Sequence, residues 1–417
     1  MKILILSFVI IFGTFNLSAQ QTYVPDNNFE QKLINLGFDA VLDDYVTTAN
    51  IDTITSLNVE FLNISDLTGI EAFTALTQLN CGNNQLTNLD VTQNNWLTYL
   101  ACDSNQLATL VTSNTQLITL DCEDNQLATL DLYWSKSLIN LNCNNNPKLT
   151  SLSCAGAKLT VFDVTQNTAL TYLNCGDNQL TSLDVKQNTA LTYLICSDNQ
   201  LTSLDVTQNN ALTNLYCANN LLTALDDTQN IALTNLGCSF NQLTSLDVTK
   251  NAALTNLICS DNQLTSLDVT QNNALWEFHC FSNQLTSLNV SKNTALNILE
   301  CSGNQLTCLD VKNGKNFDLL NLVRTTQNPN LTCIEVDDAA WLPANWYIDS
   351  QTSLSENCNN HCSPYPVGIN ESTSAESLIK TLIKTFDIMG RETTFKPNTL
   401  LIYLYDDGST EKVFTME

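Results

Sequence analysis

Cysteine is the residue with the most chemistry to offer in this chain of 417 residues, which contains 16 cysteines. Thiolates at a regular spacing could form a metal-binding ladder or disulfides. No His or carboxylate accompanies them at ligand spacing, and equivalent side chains of stacked parallel strands do not converge, so we expect buried free thiols. Eleven of them hold the same place in successive repeats, Cys81, Cys102, Cys122, Cys143, Cys175, Cys196, Cys217, Cys238, Cys259, Cys280 and Cys301, and Cys154 belongs to an irregular repeat.

A second ladder carries carboxylates. Stacked about 4.8 Å apart, they could attract Ca²⁺, a cation that takes oxygen ligands. The chain lacks the GGxGxD repeats typical of calcium-binding solenoids, so we expect a solvated acidic face. The ladder consists of Asp90, Asp131, Asp163, Asp184, Asp205, Asp226, Asp247, Asp268 and Asp310.

Signals of an enzyme are missing. The chain has two histidines, His279 and His361, and the group Cys358, His361 and Cys362 has too few ligands for a zinc site. We find no GxSxG, HExxH or phosphate-binding loop. Ser and Asp recur as parts of the repeat, whereas a catalytic site needs an asymmetric cluster. We therefore expect no catalysis, no cofactor and no metal.

The element that must position these ladders is a repeat, clearest in residues 191–211, LTYLICSDNQLTSLDVTQNNA. Each half brings three apolar residues and then an Asn, as in Leu191, Leu194, Cys196 and Asn199. One repeat cannot bury its apolar face but a stack can. The period of mostly 21 residues therefore predicts a solenoid over residues 57–336.

Two ladders of Asn mark the bends of each coil. A sharp bend leaves backbone N–H and C=O groups unpaired. A stacked Asn can form hydrogen bonds with these groups on its own coil and on the neighbouring coil. The first ladder is Asn84, Asn105, Asn125, Asn146, Asn178, Asn199, Asn220, Asn241, Asn262, Asn283 and Asn304, and the second is Asn94, Asn167, Asn188, Asn209, Asn230, Asn251, Asn272 and Asn293.

One irregularity interrupts the array. Cys143 and Cys154 are 11 residues apart, and Ala157 replaces the Asn of the next bend. We expect an extra or missing half-coil within residues 132–164, with a local bulge or bend. Tyr133 and Trp134 lie beside it. A binding notch is one interpretation, and a tolerated recombination scar is the one we favour.

The pattern LxxLxCxxNQL of residues 191–201 resembles the leucine-rich repeat, LxxLxLxxNxL, with Cys in the last strand position. The Asn-Gln-Leu-Thr turn and the opening ISDLTGIEAF resemble internalin-type bacterial repeats, and the LDVTQN half resembles leucine-rich-repeat surface proteins of Bacteroidetes. The resemblance implies an α/β-type repeat solenoid with a parallel sheet on its concave face. It implies binding of a protein or a glycan.

The two ends of the chain carry other signals. Residues 1–19 predict a secretory signal peptide, because Lys2 precedes an apolar run too short to span a bilayer. Residues 20–56 predict a helical cap with Asp26 as N-cap, an apolar stripe and a stop at Gly37. Residues 363–374, rich in Pro, Ser and Thr, predict a linker.

The C-terminal part carries two further resemblances. Residues 328–358 resemble the C-terminal cap of the same secreted proteins, so we assign residues 337–362 to a cap, with a preferred disulfide Cys333–Cys358 and Cys308–Cys333 as the alternative. Residues 375–417 predict a small β module and resemble the sorting domain of type IX secretion substrates. The matching residues are Asp387, Gly390, Arg391, Glu392, Tyr405, Gly408, Glu411, Lys412 and Val413.

Two rows of variable residues flank the inward Leu of each LxxLxC strand and are expected to line the concave face, from Gln78 to Ile298 and from Asn80 to Glu300. Exposed aromatic residues on a rigid sheet suit recognition of proteins or sugars, although Tyr and Ile also simply favour strands. We predict ligand-binding residues in two clusters, Tyr172, Tyr193, Ile195 and Tyr216, and Trp276, His279 and Phe281.

The formal net charge of −26 argues against binding to nucleic acid or anionic lipid. No later segment is apolar enough to cross a membrane. We expect an exported monomer, secreted or at the outer-membrane surface, that uses the type IX machinery and binds a protein or glycan without catalysis. The alternative is a structural surface-coat protein stabilised by Ca²⁺.

Overall fold

The computed structural model describes residues 19–314, 321–340, 345–358, 362, 382–387, 399–405 and 410–415. They belong to two units, Met1–Pro364 and Tyr365–Glu417. The first unit is a solenoid of about 14 turns with a spacing of about 21 residues, made of parallel strands and little helix. This is the predicted fold class. Residues 1–18 of the predicted signal peptide and the whole predicted linker lie outside the described residues.

The N-terminal end is a small cap. Strands Gln21–Tyr23 and Tyr45–Thr47 pair antiparallel around the helix Asn27–Asn35. Asp26 begins the helix by accepting hydrogen bonds from the backbone N–H groups of Asn28 and Phe29, at 2.9 and 3.1 Å. The Phe29 ring is buried and lies 6.2 Å from the ring of Phe73. The helix therefore covers the apolar end of the first coils.

Each coil contributes short strands, typically of three residues. In each such strand one buried residue, usually Leu, lies between two residues whose side chains point outward. They form parallel sheets on opposite sides of the coils. A five-stranded sheet contains Ser56–Asn58, Gln78–Asn80, Tyr99–Ala101, Thr119–Asp121 and Asn140–Asn142. An eleven-stranded sheet contains Thr129–Asp131, Ser151–Ser153, Tyr172–Asn174, Tyr193–Ile195, Asn214–Tyr216, Asn235–Gly237, Asn256–Ile258, Glu277–His279, Ile298–Glu300, Leu322–Arg324 and Trp346–Tyr347.

Smaller elements complete the first unit. Asn88–Asp90 pairs with Thr109–Val111. A four-stranded sheet contains Ser287–Asn289, Cys308–Asp310, Cys333–Glu335 and Ser353–Ser355. The 3₁₀ helices are Thr48–Asn50 and Ile70–Ala72. Among the described residues, no helix is both long and apolar enough to cross a membrane.

The core is one continuous stack of Leu, Cys and Val side chains, and Leu194 and Cys196 are each 0 % exposed. Twelve cysteines are free and buried, as expected from their stacking. Burial raises the pKa of the Cys175 and Cys259 thiols to about 12. The thiols therefore stay protonated and act as small apolar side chains.

The first Asn ladder closes the bend that follows each Cys. The Asn199 amide donates to the carbonyl oxygens of Cys175, Cys196 and Ser197 at 3.0, 3.2 and 3.2 Å, and its Oδ1 accepts from the Leu180 N–H at 2.9 Å. One side chain thus satisfies four backbone groups on two neighbouring coils, as the sequence predicted for this ladder.

The second Asn ladder is less fully bonded. Asn209 Nδ2 donates to the carbonyl oxygens of Val185 and Asn188, both at 2.9 Å. Its buried Oδ1 has no partner among the described residues, and the same holds for Asn188 and Asn230. The side-chain amides of Asn188, Asn209 and Asn230 therefore act only as donors at the second bend, beside backbone bonds such as Leu212 N–H to the Asn209 carbonyl oxygen at 3.0 Å.

The half-unit changes the side of the solenoid on which the LxxLxC strands lie. Ser151–Ser153 pairs with Thr129–Asp131, from the second half of an earlier coil, and with Tyr172–Asn174 on its other side. The expected pair of rows from Gln78 to Glu300 is therefore wrong as one surface. Residues up to Asn142 lie on the five-stranded sheet, and those from Ser151 onward on the eleven-stranded sheet.

Asn146 explains how the chain tolerates this loss. Its Nδ2 donates to the carbonyl oxygens of Cys122 and Cys143, at 3.1 and 3.0 Å, as a first-ladder Asn does. Its own carbonyl oxygen accepts from the Leu149 N–H at 3.0 Å, the bond that a second-ladder Asn makes elsewhere. One residue closes both bends, so a half-coil can be omitted without leaving either bend open.

A lysine supports the bend at the irregular coil, where Ala157 lacks the amide. Lys136 Nζ donates to the Ala155 carbonyl oxygen at 3.0 Å and lies 4.1 Å from the centroid of the Tyr133 ring. The rings of Tyr133 and Trp134 meet edge to face at 5.1 Å. These residues therefore stabilise the junction.

The C-terminal end of the solenoid is cross-linked. Cys333 joins Cys358, and Cys308 joins Cys362, so the alternative pairing Cys308–Cys333 does not form. The Asn289 amide also donates to the Cys362 carbonyl oxygen at 3.0 Å. The chain is thus fastened to the four-stranded sheet, opposite the eleven-stranded sheet.

The second unit contains a three-stranded antiparallel sheet of Leu382–Asp387, Thr399–Tyr405 and Thr410–Thr415. Of the predicted sorting residues, Asp387 ends the first strand and Lys412 lies in the third. Gly390, Arg391 and Gly408 fall outside the described residues.

Asp227 is a polar exception in the core. It occupies the place that Val206 and Val248 hold in neighbouring coils and is 0 % exposed. Neither carboxylate oxygen has a partner among the described residues. Burial, with smaller contributions from Asp247 and Asp226, raises the pKa of Asp227 from 3.8 to about 7. At pH values between these two, the Asp227 carboxyl is therefore protonated in the folded chain and ionised in the unfolded chain.

Replacing an Asn of the first ladder should weaken the stack. Asn199→Ala leaves backbone groups of two coils unpaired, so we expect the free energy of unfolding to fall by about 2–3 kcal/mol. Urea denaturation followed by circular dichroism measures it. Asn210→Ala, at an exposed position close by, is the matched control and should change the value by less than about 0.5 kcal/mol. Equal effects of the two substitutions would contradict the assigned role.

Asp227 should make stability depend on pH. The pKa of Asp227 is higher in the folded chain than in the unfolded chain. The wild type therefore keeps its full free energy of unfolding below about pH 4 and loses part of it as the pH rises toward 7. We expect Asp227→Val to exceed the wild type in unfolding free energy by roughly 4 kcal/mol above pH 7, with the excess shrinking toward pH 4. Denaturation at several pH values measures the difference. Asp184→Asn, at an exposed ladder position that does not act on Asp227, should show no such trend, and a pH-independent gain in Asp227→Val would refute the explanation.

Candidate ligand-binding sheet

The eleven-stranded sheet presents two outward rows of side chains, one on each side of the buried Leu row. Neighbouring parallel strands lie about 4.8 Å apart, so side chains in one row are within contact distance. The first row runs Thr129, Ser151, Tyr172, Tyr193, Asn214, Asn235, Asn256, Glu277, Ile298 and Leu322. The second row runs Asp131, Ser153, Asn174, Ile195, Tyr216, Gly237, Ile258, His279, Glu300, Arg324 and Tyr347.

The structure brings the first predicted cluster together. The rings of Tyr172 and Tyr193 stack at 5.3 Å with an interplanar angle of 30°, and Tyr193 meets Tyr216 at 5.7 Å and 44°. Ile195 pairs with Tyr216 across adjacent strands. Burial, together with Tyr216 and Tyr172, raises the pKa of Tyr193. The three phenols therefore form a continuous, half-buried surface.

Gly237 makes room for one of these rings. A Cβ atom at Gly237 would lie 2.9 Å from Cδ1 of Tyr216, closer than carbon atoms approach without displacement. The absence of a side chain on this strand lets the Tyr216 ring lie over the sheet. Sequence inspection of the tyrosines alone does not reveal this support.

The second predicted cluster is divided. Trp276, one residue before its strand, is 46 % exposed. His279 lies within the sheet, with Nε2 2.8 Å from Glu277 Oε1 and Nδ1 2.9 Å from Glu300 Oε2. Phe281 lines an open cleft beside Glu300. His279 is therefore part of a polar network, and Trp276 is a separate exposed ring.

The two clusters predicted from the sequence do not include four residues of this sheet, Glu277, Glu300, Arg324 and Tyr347. Glu277 Oε2 accepts from the Asn256 amide at 2.7 Å, and Arg324 donates to Glu300 Oε1 at 2.9 Å. The guanidinium group of Arg324 lies 5.2 Å from the centroid of the Tyr347 ring. The signal available in the sequence was the rarity of Arg and His in an otherwise repetitive chain.

The acidic ladder has a local structural role. Asp205 Oδ1 accepts from the backbone N–H and the hydroxyl of Thr207, at 3.1 and 2.7 Å, and these bonds hold the pKa of Asp205 below its ordinary value. Asp247 and Thr249 repeat the arrangement. Within the described part of the chain, no three His, Cys, Asp or Glu side chains are grouped to hold a metal ion. The aspartates thus shape the turn that follows each LDV segment.

No family model matches the chain. Internalin J of Listeria monocytogenes serotype 4b (strain F2365) is 40 % identical over 83 residues, which are 19 % of this chain and 9 % of that protein. The chain thus matches only a small part of this curated relative.

Two solved structures are similar. The functional domain of InlJ from Listeria monocytogenes, which includes a cysteine ladder, is 35 % identical, with a TM-score of 0.43, over 81 % of this chain and 72 % of that one. An internalin, InlF, from Listeria monocytogenes is 21 % identical, with a TM-score of 0.39, over 81 % of this chain and 98 % of that one.

Proposed function

Because the chain is an internalin-like leucine-rich-repeat protein, we propose that it binds a protein or glycan without catalysis, through the outward rows of the eleven-stranded sheet. The stacked tyrosines on three consecutive coils are the observation that carries this proposal. Leucine-rich-repeat solenoids typically serve as protein-binding scaffolds.

The tyrosine cluster has the properties of a recognition surface. Tyr172, Tyr193 and Tyr216 offer large amphipathic rings whose order is maintained by the rigid sheet, so binding immobilises few rotamers. The amide row Asn214, Asn235 and Asn256 continues from them along the sheet. Aromatic faces beside amide donors and acceptors suit both sugar rings and polar peptide segments.

The site of action is part of the same proposal. A secretory signal in residues 1–19 and a sorting module in residues 375–417 would take the chain through the type IX machinery to the cell surface or the medium. The net charge of −26 favours a solvated, non-aggregating surface, in keeping with a monomer outside the cell.

Removing the three rings should weaken binding. The full chain and its Tyr172→Ser/Tyr193→Ser/Tyr216→Ser variant would be screened on glycan and surface-protein arrays, and hits titrated by calorimetry. We expect the affinity of the ligand to fall at least tenfold in the variant, since buried aromatic anchors typically contribute more than about 1.4 kcal/mol.

Controls separate recognition from folding. Tyr99→Ser and Tyr133→Ser remove exposed tyrosines outside the eleven-stranded sheet and should leave affinity unchanged. The melting temperature of the triple variant should stay close to that of the wild type. A ligand indifferent to the three tyrosines would contradict the proposed site. An array without hits, together with a melting temperature that rises sharply with Ca²⁺, would favour the surface-coat alternative.

A further inference from the structure

The chain contains two arginines and two histidines, and one of each lies on the eleven-stranded sheet. His279 and Arg324 occupy the same row, separated by the strand that carries Glu300. Arg324 is the sole Lys or Arg in the two outward rows of that sheet. The residue types at this end of the sheet therefore differ from those at the equivalent positions of other coils. Such an asymmetric cluster is what a dedicated binding site needs.

The carboxylates of this cluster are already paired. Both oxygens of Glu277 and both of Glu300 have hydrogen-bond partners, and the Glu300 side chain is only 15 % exposed. Arg324 differs, because its side chain is 50 % exposed and, among the residues that the structure describes, one hydrogen bond, to Glu300, engages one of its five N–H groups. Within this cluster of His279, Glu277, Glu300 and Arg324, the groups still able to bond a ligand are therefore the remaining N–H donors of the Arg324 guanidinium group.

Glu300 and Tyr347 fix the direction of this cation. The carboxylate of Glu300 holds one edge of the guanidinium group, and the Tyr347 ring lies against its face. The free N–H groups are thus pre-oriented, which favours a planar carboxylate partner bound through two hydrogen bonds.

An open cleft of about 340 Å³ adjoins Arg324. Its other lining groups include the Phe281 ring, the hydroxyls of Ser282, Ser302 and Thr326, and the Gln327 amide. The Glu300 carboxylate also lines the cleft, with both of its oxygens paired to His279 and Arg324. The cleft therefore combines one cation and its paired carboxylate with several neutral hydrogen-bonding groups and one aromatic ring. A sugar ring matches this set, because it carries hydroxyls at its edge and C–H groups on its faces.

We propose that Arg324 and this cleft bind the carboxylate and hydroxyls of a uronic-acid residue, so that the ligand of the sheet is an acidic glycan. The inference rests on the proposed function and deepens it. The strand of Arg324 is five steps from that of Tyr216, or roughly 24 Å along the sheet at about 4.8 Å per step. An extended oligosaccharide can reach both places.

Matched ligands test the carboxylate directly. The full chain would be titrated calorimetrically with hexagalacturonate, with its methyl ester, which removes the charge while keeping the sugar, and with hyaluronan and alginate hexasaccharides. We expect at least one of the uronates to bind. Its esterified or carboxyl-reduced form should bind about tenfold more weakly or worse, as expected for loss of a charge-assisted pair.

Variants locate the contact. Arg324→Gln should remove the difference between the acidic and the neutralised ligand, and Arg324→Lys should retain part of it. Lys312→Gln is the matched control, because Lys312 pairs with Glu335 on the opposite, four-stranded side of the coils. It should leave the affinity for the uronate unchanged.

Each contrary result has a distinct meaning. Absence of binding by every uronate, or equal binding of acidic and neutralised forms, overturns the uronate site. Binding of hexaglutamate that depends on Arg324, without uronate binding, overturns it in favour of an acidic peptide. A neutral ligand that depends on the three tyrosines but not on Arg324 leaves the proposed function standing and overturns this inference. A uronate that depends on Arg324 but not on the tyrosines upholds the inference and overturns the proposed tyrosine site.

Discussion

The whole solenoid depends on one recurrent hydrogen-bonding unit, a buried Asn amide that closes a bend and ties it to the neighbouring coil. Asn199 does this by bonding the carbonyl oxygens of Cys175 and Cys196 and the N–H of Leu180. Sharp bends in a buried backbone would otherwise leave carbonyl and N–H groups unpaired at a cost of about 1–3 kcal/mol each. The spacing of these Asn residues sets the register of the strands and hence of the outward rows.

The two halves of a coil are nearly interchangeable because each ends in such a bend and contributes one three-residue strand. At Asn146 one residue closes both bends, through its side-chain amide and its backbone carbonyl oxygen, and the chain proceeds with half a coil fewer. The apolar core continues without interruption, while the LxxLxC strands pass to the opposite side. The three tyrosines and Arg324 all follow this switch. The switch therefore decides which side of the solenoid carries the tyrosines and Arg324.

Much of this architecture can be predicted from the sequence, because periodic residues report periodic structure. The LxxLxC spacing predicts the strands, and the buried thiols follow from the stacking of Cys196 on its equivalents. The switch of side is harder to predict, since it needs the three-dimensional equivalence of the two halves. The Cys308–Cys362 disulfide joins residues separated by 54 positions, and both cysteines lie outside the regular Cys ladder.

The candidate site follows the same division. Tyr172, Tyr193 and Tyr216 could be grouped from their places in adjacent repeats, since equivalent positions must stack. The network of His279, Glu300 and Arg324 could not, because Arg324 lies in a coil whose sequence departs from the consensus. The pairing of Ile298–Glu300 with Leu322–Arg324 in the structure defines its register.

Chemical cross-linking across the half-unit is the most direct test of the change of side. Asp131→Cys with Ser153→Cys places two thiols on paired positions of adjacent strands, about 4.8 Å apart. Asn142→Cys with Ser153→Cys places them on different sheets. With a short bismaleimide and peptide mapping, the first pair should cross-link efficiently and the second should not, while the buried ladder thiols stay unmodified. Efficient cross-linking of the second pair and not the first would show that the LxxLxC strands remain on one side, and would contradict the account.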